Sequence, residues 1–277
     1  SRGTRAGVCL GYGVRGAMPG QLVLLGARGG LDRGGAAHGD SFIWPARRTA
    51  LRPPVDGAFV PGTVTEIHPQ ARAFVATLAE RLQRGAAFFI DYGFPEAEYW
   101  HPQRDAGTLL CHRAHQHDDD PLSEVGLKDI TAHVDFTGVA LTADAAGLEV
   151  LGYTSQARFL FNCGIAELME QAELPVRANA LKLVVEHEMG ELFKVIGFAK
   201  GCAFDAIGFA AGDRALFVEG HLADGHAAAR GGGPAQRGRH RAACRNDAGM
   251  RERLAIDPGR ALPVSYTHLT LPTSDLV

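Results

Sequence analysis

Residues 69–93, PQARAFVATLAERLQRGAAFFIDYG, decide the fold class. Apolar side chains stand at Ala71, Phe74, Val75, Leu78, Ala79 and Leu82. This three-and-four spacing predicts one amphipathic helix over Pro69–Gln83. Pro69 suits the first turn, where its missing N–H leaves no bond unmade. Gly85 ends the helix, and AAFFIDYG reads as a buried strand running into a glycine turn. A helix followed by a buried strand is the α/β rhythm.

The rhythm extends both ways. Val64–His68 is a short strand upstream. Downstream, Asp129–Thr131 opens a helix through Val134–Ala146, Gly147 caps it, and Leu148–Tyr153 is the next strand. Ala157–Ala172 reads as one helix on the apolar positions Phe159, Leu160, Ile165, Leu168 and Met169, and Leu192–Ala199 closes as a strand. No internal repeat is visible. Residues 63–217 therefore read as a packed domain. Residues 1–62 are rich in Gly, Arg and Pro, with only Gln21–Leu25 reading as a buried strand. Residues 218–277 return to Ala, Gly, Arg and His with little apolar patterning, as expected of a segment without its own core.

Composition bounds the function. The 277 residues are 46% hydrophobic and 21% charged, as in an average globular protein. A net charge of -3 argues against a general nucleic-acid or membrane-surface binder. No apolar run reaches the roughly 18 residues of a membrane span, and no signal-peptide pattern occurs. The five cysteines are scattered and include no CxxC pair, which suits a reducing compartment rather than a disulfide framework or zinc site. Of 28 basic residues only Lys128, Lys182, Lys194 and Lys200 are lysine, a bias that fits a GC-rich coding sequence.

Several positions carry chemistry. Asp91 and Tyr92 end the Phe88–Ile90 strand, where open α/β sheets bind ligands. A carboxylate there can accept from a substrate amine or cofactor hydroxyl, or can simply cap the turn. Glu66, in VTEIHP, lies at a strand-to-helix junction and reads as a cofactor-binding carboxylate or as a favourable charge at the helix N-terminus. The run Tyr99–Arg104 mixes aromatic and polar groups, with His101 and Arg104 as cleft candidates. Asp129 and His133 are four apart, so one helical turn could pair them and tune a proton-transferring imidazole. His112, His115, His117 and Asp118–Asp120 offer metal-ligand chemistry, but the spacing matches no metal template and reads as a solvated loop, so no metal is expected. No GxSxG elbow, Walker loop or HExxH motif occurs, and Gly11, Gly13 and Gly16 lack a strand-turn-helix setting.

The longer pattern resembles one family. Residues 65–121, TEIHPQARAFVATLAERLQRGAAFFIDYGFPEAEYWHPQRDAGTLLCHRAHQHDDDP, then GLKDITAHVDFT, AAGLEVLGYTSQARFLFNCGI and HEMGELFKVIGF are similar to the MidA family of class I S-adenosylmethionine-dependent methyltransferases over about Ala17 to Arg214. The family includes the mitochondrial complex I assembly methyltransferase.

The resemblance implies a Rossmann-like α/β fold, its sheet mainly parallel with a reversed edge strand and helices on both faces. It implies S-adenosylmethionine as cofactor and methyl transfer to a protein substrate. In mitochondrial members that substrate is an arginine on a respiratory-complex subunit. The implied location is cytoplasmic in bacteria and the mitochondrial matrix in eukaryotic relatives. A protein-binding assembly factor without catalysis is the alternative, and a metal-dependent hydrolase using the 112–120 histidines is a third reading.

Two departures stand out. The family's E-x-G-x-G-x-G cofactor loop lies upstream of the matched region, so the chain is expected to lack the cofactor-loop half. Where the family has N-E-x-x-D-A-x-P, this chain reads Tyr12-Gly13-Val14-Arg15-Gly16-Ala17-Met18-Pro19. Residues 1–16 are accordingly expected to be an out-of-frame or truncated start. Residues 17–217 are expected to be the C-terminal part of the methyltransferase domain, and 218–277 a non-native or disordered tail.

Overall fold

The computed structural model describes residues 6–12, 21–26, 29–33, 36–39, 41–44, 46–55, 59–114, 116–203 and 205–218. Seven strands come first: β1 (Ala6–Tyr12), β2 (Gln21–Gly26), β3 (Gly29–Arg33), β4 (Ala36–His38), β5 (Ser41–Ile43), β6 (Ala46–Thr49) and β7 (Val64–Ile67). Helix α1 (Pro69–Arg81) leads into the long strand β8 (Arg84–Phe94) and the one-turn helix α2 (Glu96–Tyr99). Four short strands follow: β9 (Leu110–Arg113), β10 (Gln116–Asp118), β11 (Asp129–Thr131) and β12 (Val134–Asp135). The chain continues through α3 (Phe136–Ala145), β13 (Glu149–Ser155), α4 (Gln156–Asn162), α5 (Ile165–Gln171), α6 (Leu174–Val184) and β14 (Phe193–Lys200).

Strand β8 is the axis of the main sheet, whose order is β1-β8-β14-β13 with β12 also on β8. Strands β1 and β12 run parallel to β8, and β14 runs antiparallel to it, with Lys194 opposite Asp91 and Phe193 opposite Tyr92. Strand β13 pairs antiparallel with β14, so it points the same way as β8. Alternation along β8 feeds two cores. Ala87 and Phe89 pack with Val75 and Ala79 of α1 and with Phe136, Val139, Ala140 and Ala143 of α3. Ala86, Phe88 and Ile90 pack with Val195, Phe209 and, more peripherally, Phe159 of α4. Both faces of the sheet are thus covered, which is why β8 reads as an unbroken apolar run.

A second sheet, β6-β3-β2-β7, is antiparallel throughout. Its Val23, Leu25 and Ile67 form a third core with Tyr99 and Trp100. This core ties the sheet to the loop region that follows β8. A small antiparallel sheet, β10-β9-β11, lies between α2 and β12.

Four expectations need correction. The reversed strand is not at the sheet edge: β14 lies between β8 and β13. Asp129 does not start a helix. Residues 129–131 pair with β9, Val134–Asp135 pair with β8, and the helix begins only at Phe136. Asp135 is its N-cap, accepting from Gly138 N–H at 2.9 Å. A carboxylate there satisfies one of the N–H groups left open at a helix start, and Asp135 outcompeted the earlier polar residues for that role. Third, the helix expected over Ala157–Ala172 breaks in two at Gly164, whose φ of +87° is left-handed and suits only a residue without a Cβ. Fourth, the N-terminal zone contains β1 and β3–β6 besides the expected strand. Of these, β3 (GGLDR) and β6 (ARRT) are Gly- or Arg-rich, and pairing rather than composition makes them strands. Pairing of β2 with β7 also crosses the expected zone boundary at 63. The expectation for 218–277 falls, apart from Val218, outside the described residues.

Candidate functional site at the carboxyl end of β8

The end of β8 carries a ladder of flat side chains. Tyr92 and Phe94 are two residues apart, so they leave the strand on one face. The Tyr92 ring lies 4.0 Å from Phe193, its cross-strand partner, and 6.0 Å from His133, centroid to centroid. His133 stacks on Phe94 at 4.8 Å with the planes 3° apart. The Arg104 guanidinium lies 4.3 Å over the same Phe94 ring, and its Nε donates to the Glu98 carbonyl at 3.2 Å. Arg104 and His101 then line a surface hollow of about 400 Å³ together with Glu98, Gln103, Asp105, Ala106 and Gly107. Tyr92, Phe94, Arg104 and His133 are all partly accessible. They form an aromatic, partly cationic lip where ligands of open α/β sheets sit.

Asp91 is oriented differently. It neighbours Tyr92 in sequence, so it projects to the opposite face. It is 2% exposed, and its Oδ1 accepts from the Tyr92 N–H at 2.8 Å. Its cross-strand partner is Lys194, whose Nζ donates to the Glu191 carbonyl and, at 3.0 Å, to Glu191 Oε1. The structure therefore groups Tyr92 with His133, Phe94 and Arg104, while Asp91 lies within the sheet.

Glu66 is 2% exposed and bound on both oxygens. Its Oε1 accepts from Thr108 N–H and Leu109 N–H, each at 2.9 Å. Its Oε2 accepts from the Thr108 hydroxyl at 3.0 Å and the Tyr99 hydroxyl at 3.2 Å. Two backbone and two side-chain donors on one carboxylate offset the loss of its hydration. Gly107 makes room for this: it has φ +77°, and a Cβ there would meet Glu66 Cδ at 3.1 Å. Glu66 is a loop anchor joining β7 to residues 108 and 109, a use neither sequence reading of it foresaw.

The anchor extends further. His68 Nε2 lies 3.0 Å from the Tyr99 oxygen. Burial and the Arg72 charge hold the His68 imidazole down at about 4, so it is neutral at pH 7, and the network assigns its proton to Nε2. Burial, with the Glu66 charge beside it, pushes the Tyr99 phenol well above its ordinary range. Tyr99 thus stays a hydroxyl and donates towards Glu66.

The expected pairing of Asp129 with His133 does not form by a helical turn, because the chain between them is the end of β11 and one irregular residue, Ala132. Asp129 is exposed on β11 opposite His112. Among the described residues no group of three His, Cys, Asp or Glu side chains is placed to hold a metal; His115 lies outside them. Asp118 is instead bound by Lys128 Nζ at 2.7 Å, which lowers its carboxyl. Sequence reading missed Phe94, Thr108 and the role of Tyr99. Phe94 alone left a signal, since it extends the β8 face two residues beyond Tyr92.

Comparison with known proteins gives the fold type. Residues 39–154 match the model of a family described as "Putative S-adenosyl-L-methionine-dependent methyltransferase". A crystal structure from Burkholderia thailandensis, described as a "likely methyl transferase" bound to S-adenosyl-homocysteine, is 44% identical with a TM-score of 0.70. The match covers 76% of this chain and 58% of that one. A native structure of an uncharacterized protein of the same superfamily and organism matches equally, at 44% identity and TM-score 0.70, over 76% of this chain and 60% of its own. No curated protein matches this chain. The fold is of the S-adenosyl-L-methionine-dependent methyltransferase type, and the chain spans about three fifths of the length of the solved structures it resembles. Among the described residues no helix is long and apolar enough to cross a membrane.

Whether these residues fit the cofactor can be tested on the geometry. Glu66, the sequence candidate for it, has both oxygens bound by this chain. Among the described residues no glycine-rich strand-to-helix turn offers the row of free N–H groups that cradles such a ligand. The described residues therefore do not fit the cofactor's own cradle. What they build is an aromatic, polar-rimmed lip at the carboxyl end of β8.

Proposed function

We propose that this chain is part of an S-adenosyl-L-methionine-dependent methyltransferase of the MidA type and supplies the acceptor side of its cleft. The observation that carries the reading is the Tyr92–His133–Phe94–Arg104 lip at the carboxyl end of the central strand. The 44% identity to a structure bound to S-adenosyl-homocysteine supports the cofactor. The acceptor in this reading is a protein arginine, on a respiratory-complex subunit as in mitochondrial members of the MidA family. In support, Phe94 already stacks a guanidinium, and Glu98 and Asp105 rim the adjoining hollow. The proposed catalytic groups are Tyr92, at the lip, and Asp91, whose buried carboxylate acts by holding the Tyr92 N–H. His101, Arg104 and His133 line the cleft. The cytoplasm is the proposed location.

The chemistry asked of these residues is positioning: a nucleophile held in line needs no covalent enzyme intermediate. A carboxylate beside a guanidinium acceptor orients it and offsets its charge. Methyl transfer from labelled S-adenosyl-L-methionine to arginine peptides is the test, run on this chain and on the longer protein. Transfer by the longer protein and its absence there in Tyr92→Phe and Asp91→Asn support the assignment. No transfer to any arginine peptide by the longer protein removes the arginine acceptor. Calorimetry with S-adenosyl-homocysteine tests whether this chain holds the cofactor by itself. The expected result for this chain alone is weak or absent binding, and a low-micromolar Kd, about -8 kcal/mol, overturns it.

A second reading is a non-catalytic, protein-binding assembly factor of the same fold. The lack of a cofactor cradle among the described residues favours it, and it predicts acceptor binding without methyl transfer.

A further inference from the structure

His133 follows an irregular residue and has no helix to orient it, yet its ring is the centre of the lip. Its backbone is gripped at the N–H. The His133 N–H donates to the Thr108 hydroxyl oxygen at 2.9 Å. The His133 carbonyl lies 3.4 Å from the Tyr99 hydroxyl. Both hydroxyls converge on Glu66 Oε2. A threonine hydroxyl has one proton and two lone pairs. With its proton given to Glu66, a lone pair of Thr108 is left to accept from His133. The carboxylate therefore sets the direction of the Thr108 hydroxyl, and the hydroxyl sets the height of His133 over Phe94.

We propose that Thr108, oriented by the buried Glu66 carboxylate, is a positioning residue for the His133 imidazole. Thr108 touches no accessible part of the lip; it acts through the main chain of His133. Thr108 is 9% and Glu66 2% exposed, which keeps water from competing for them. In a water-excluded site each such bond is stronger and more directional than on the surface. The four residues come from β7, α2, the loop before β9 and the segment between β11 and β12. One carboxylate thus sets the mutual position of segments that are far apart in sequence. The role in methyl transfer rests on the reading above; the geometry of the His133 ring does not.

The experiment replaces only the hydroxyl. Thr108→Val keeps the shape and the backbone N–H bonded to Glu66, and Thr108→Ser keeps the hydroxyl. NMR of the full chain reads the ring protons of His133, which stacking on Phe94 shifts upfield and links to the Phe94 ring by cross-relaxation. Thr108→Val is expected to lose the upfield shift and the cross-peak, and Thr108→Ser to keep both. Tyr99→Phe, which takes away the second hydroxyl donor to the Glu66 carboxylate that orients Thr108, is expected to weaken the same signals and serves if Thr108→Val does not fold. Unchanged His133 signals in folded Thr108→Val overturn the proposal, as does equal loss in Thr108→Ser. In a protein that transfers methyl groups, Thr108→Val should lower kcat by about tenfold or more with KM little changed. Failure of wild-type transfer counts against the functional reading alone, because the ring signals report on His133 without it.

Discussion

Phe94 holds His133 on its ring at 4.8 Å and 3° and the Arg104 guanidinium at 4.3 Å. One side chain at the end of the central strand therefore organises a histidine that follows β11 and an arginine that follows α2. A cation over an aromatic face contributes about 0.5–1 kcal/mol at accessible sites. A double-mutant cycle with Phe94→Leu and Arg104→Gln should give a coupling energy in that range by urea unfolding. Coupling indistinguishable from zero would remove the contact from the account of this loop.

Glu66→Ala should be among the most damaging single changes in the chain. It leaves the Thr108 and Leu109 N–H groups and the two hydroxyls without their buried acceptor. Losing a buried, hydrogen-bonded charge site costs on the order of 3–5 kcal/mol. Glu66→Gln should cost less, because its oxygen can keep the two N–H donors while its amide faces the hydroxyls. Denaturant midpoints of the three proteins check the order, and equal loss in the two variants would mean that charge, not donor matching, is what Glu66 supplies.

His68 makes stability depend on pH. Its imidazole is held at about 4 in the folded chain against 6.5 when unperturbed. Between those values the unfolded chain binds the extra proton, so stability falls as pH drops from 6.5 towards 4. The full effect is up to roughly 3 kcal/mol from a shift of this size. His68→Asn, which can still donate to Tyr99, should flatten this slope. Urea unfolding at stepped pH gives the comparison; parallel slopes in the two proteins would show that His68 does not carry the effect.

Gly93→Ala should disrupt the end of β8. A Cβ there would meet the Val134 carbonyl oxygen and would come within 2.6 Å of Phe136 Cε2. The first is backbone of the paired strand β12 and cannot rotate away. Overpacking of this kind costs about 1–3 kcal/mol, and the His133 ring should shift with Val134. Thermal melting and the His133 ring signals test both parts, and a variant as stable as wild type would mean that β12 is free to move.

Legibility differed between the fold and the site. Pro69–Arg81, β8 and β14 were readable because each repeats one burial period long enough to exceed noise. The break at Gly164 was not, because apolar spacing continues across it on both sides. The true start of α3 was obscured because Asp129, Thr131 and Asp135 all qualify as caps. Only the pairing of Val134 with Gly93 fixes the choice at Asp135.

The sequence by itself determined that the chain is α/β and that it resembles methyltransferases, and it pointed to Asp91 and Tyr92 at the end of the Phe88–Ile90 strand as candidate site residues. Periodicity and strand-end position are local properties, so a linear reading reaches them. Tertiary structure alone decided that β14 enters between β8 and β13, that Tyr92 rather than Asp91 joins His133 and Arg104, and that Glu66 is an anchor. The physical reason is that hydrogen-bond acceptors are satisfied by whichever donors the fold brings within about 3 Å. For Glu66 those donors are Thr108 and Leu109, 42 and 43 residues along the chain, and no spacing rule spans that distance.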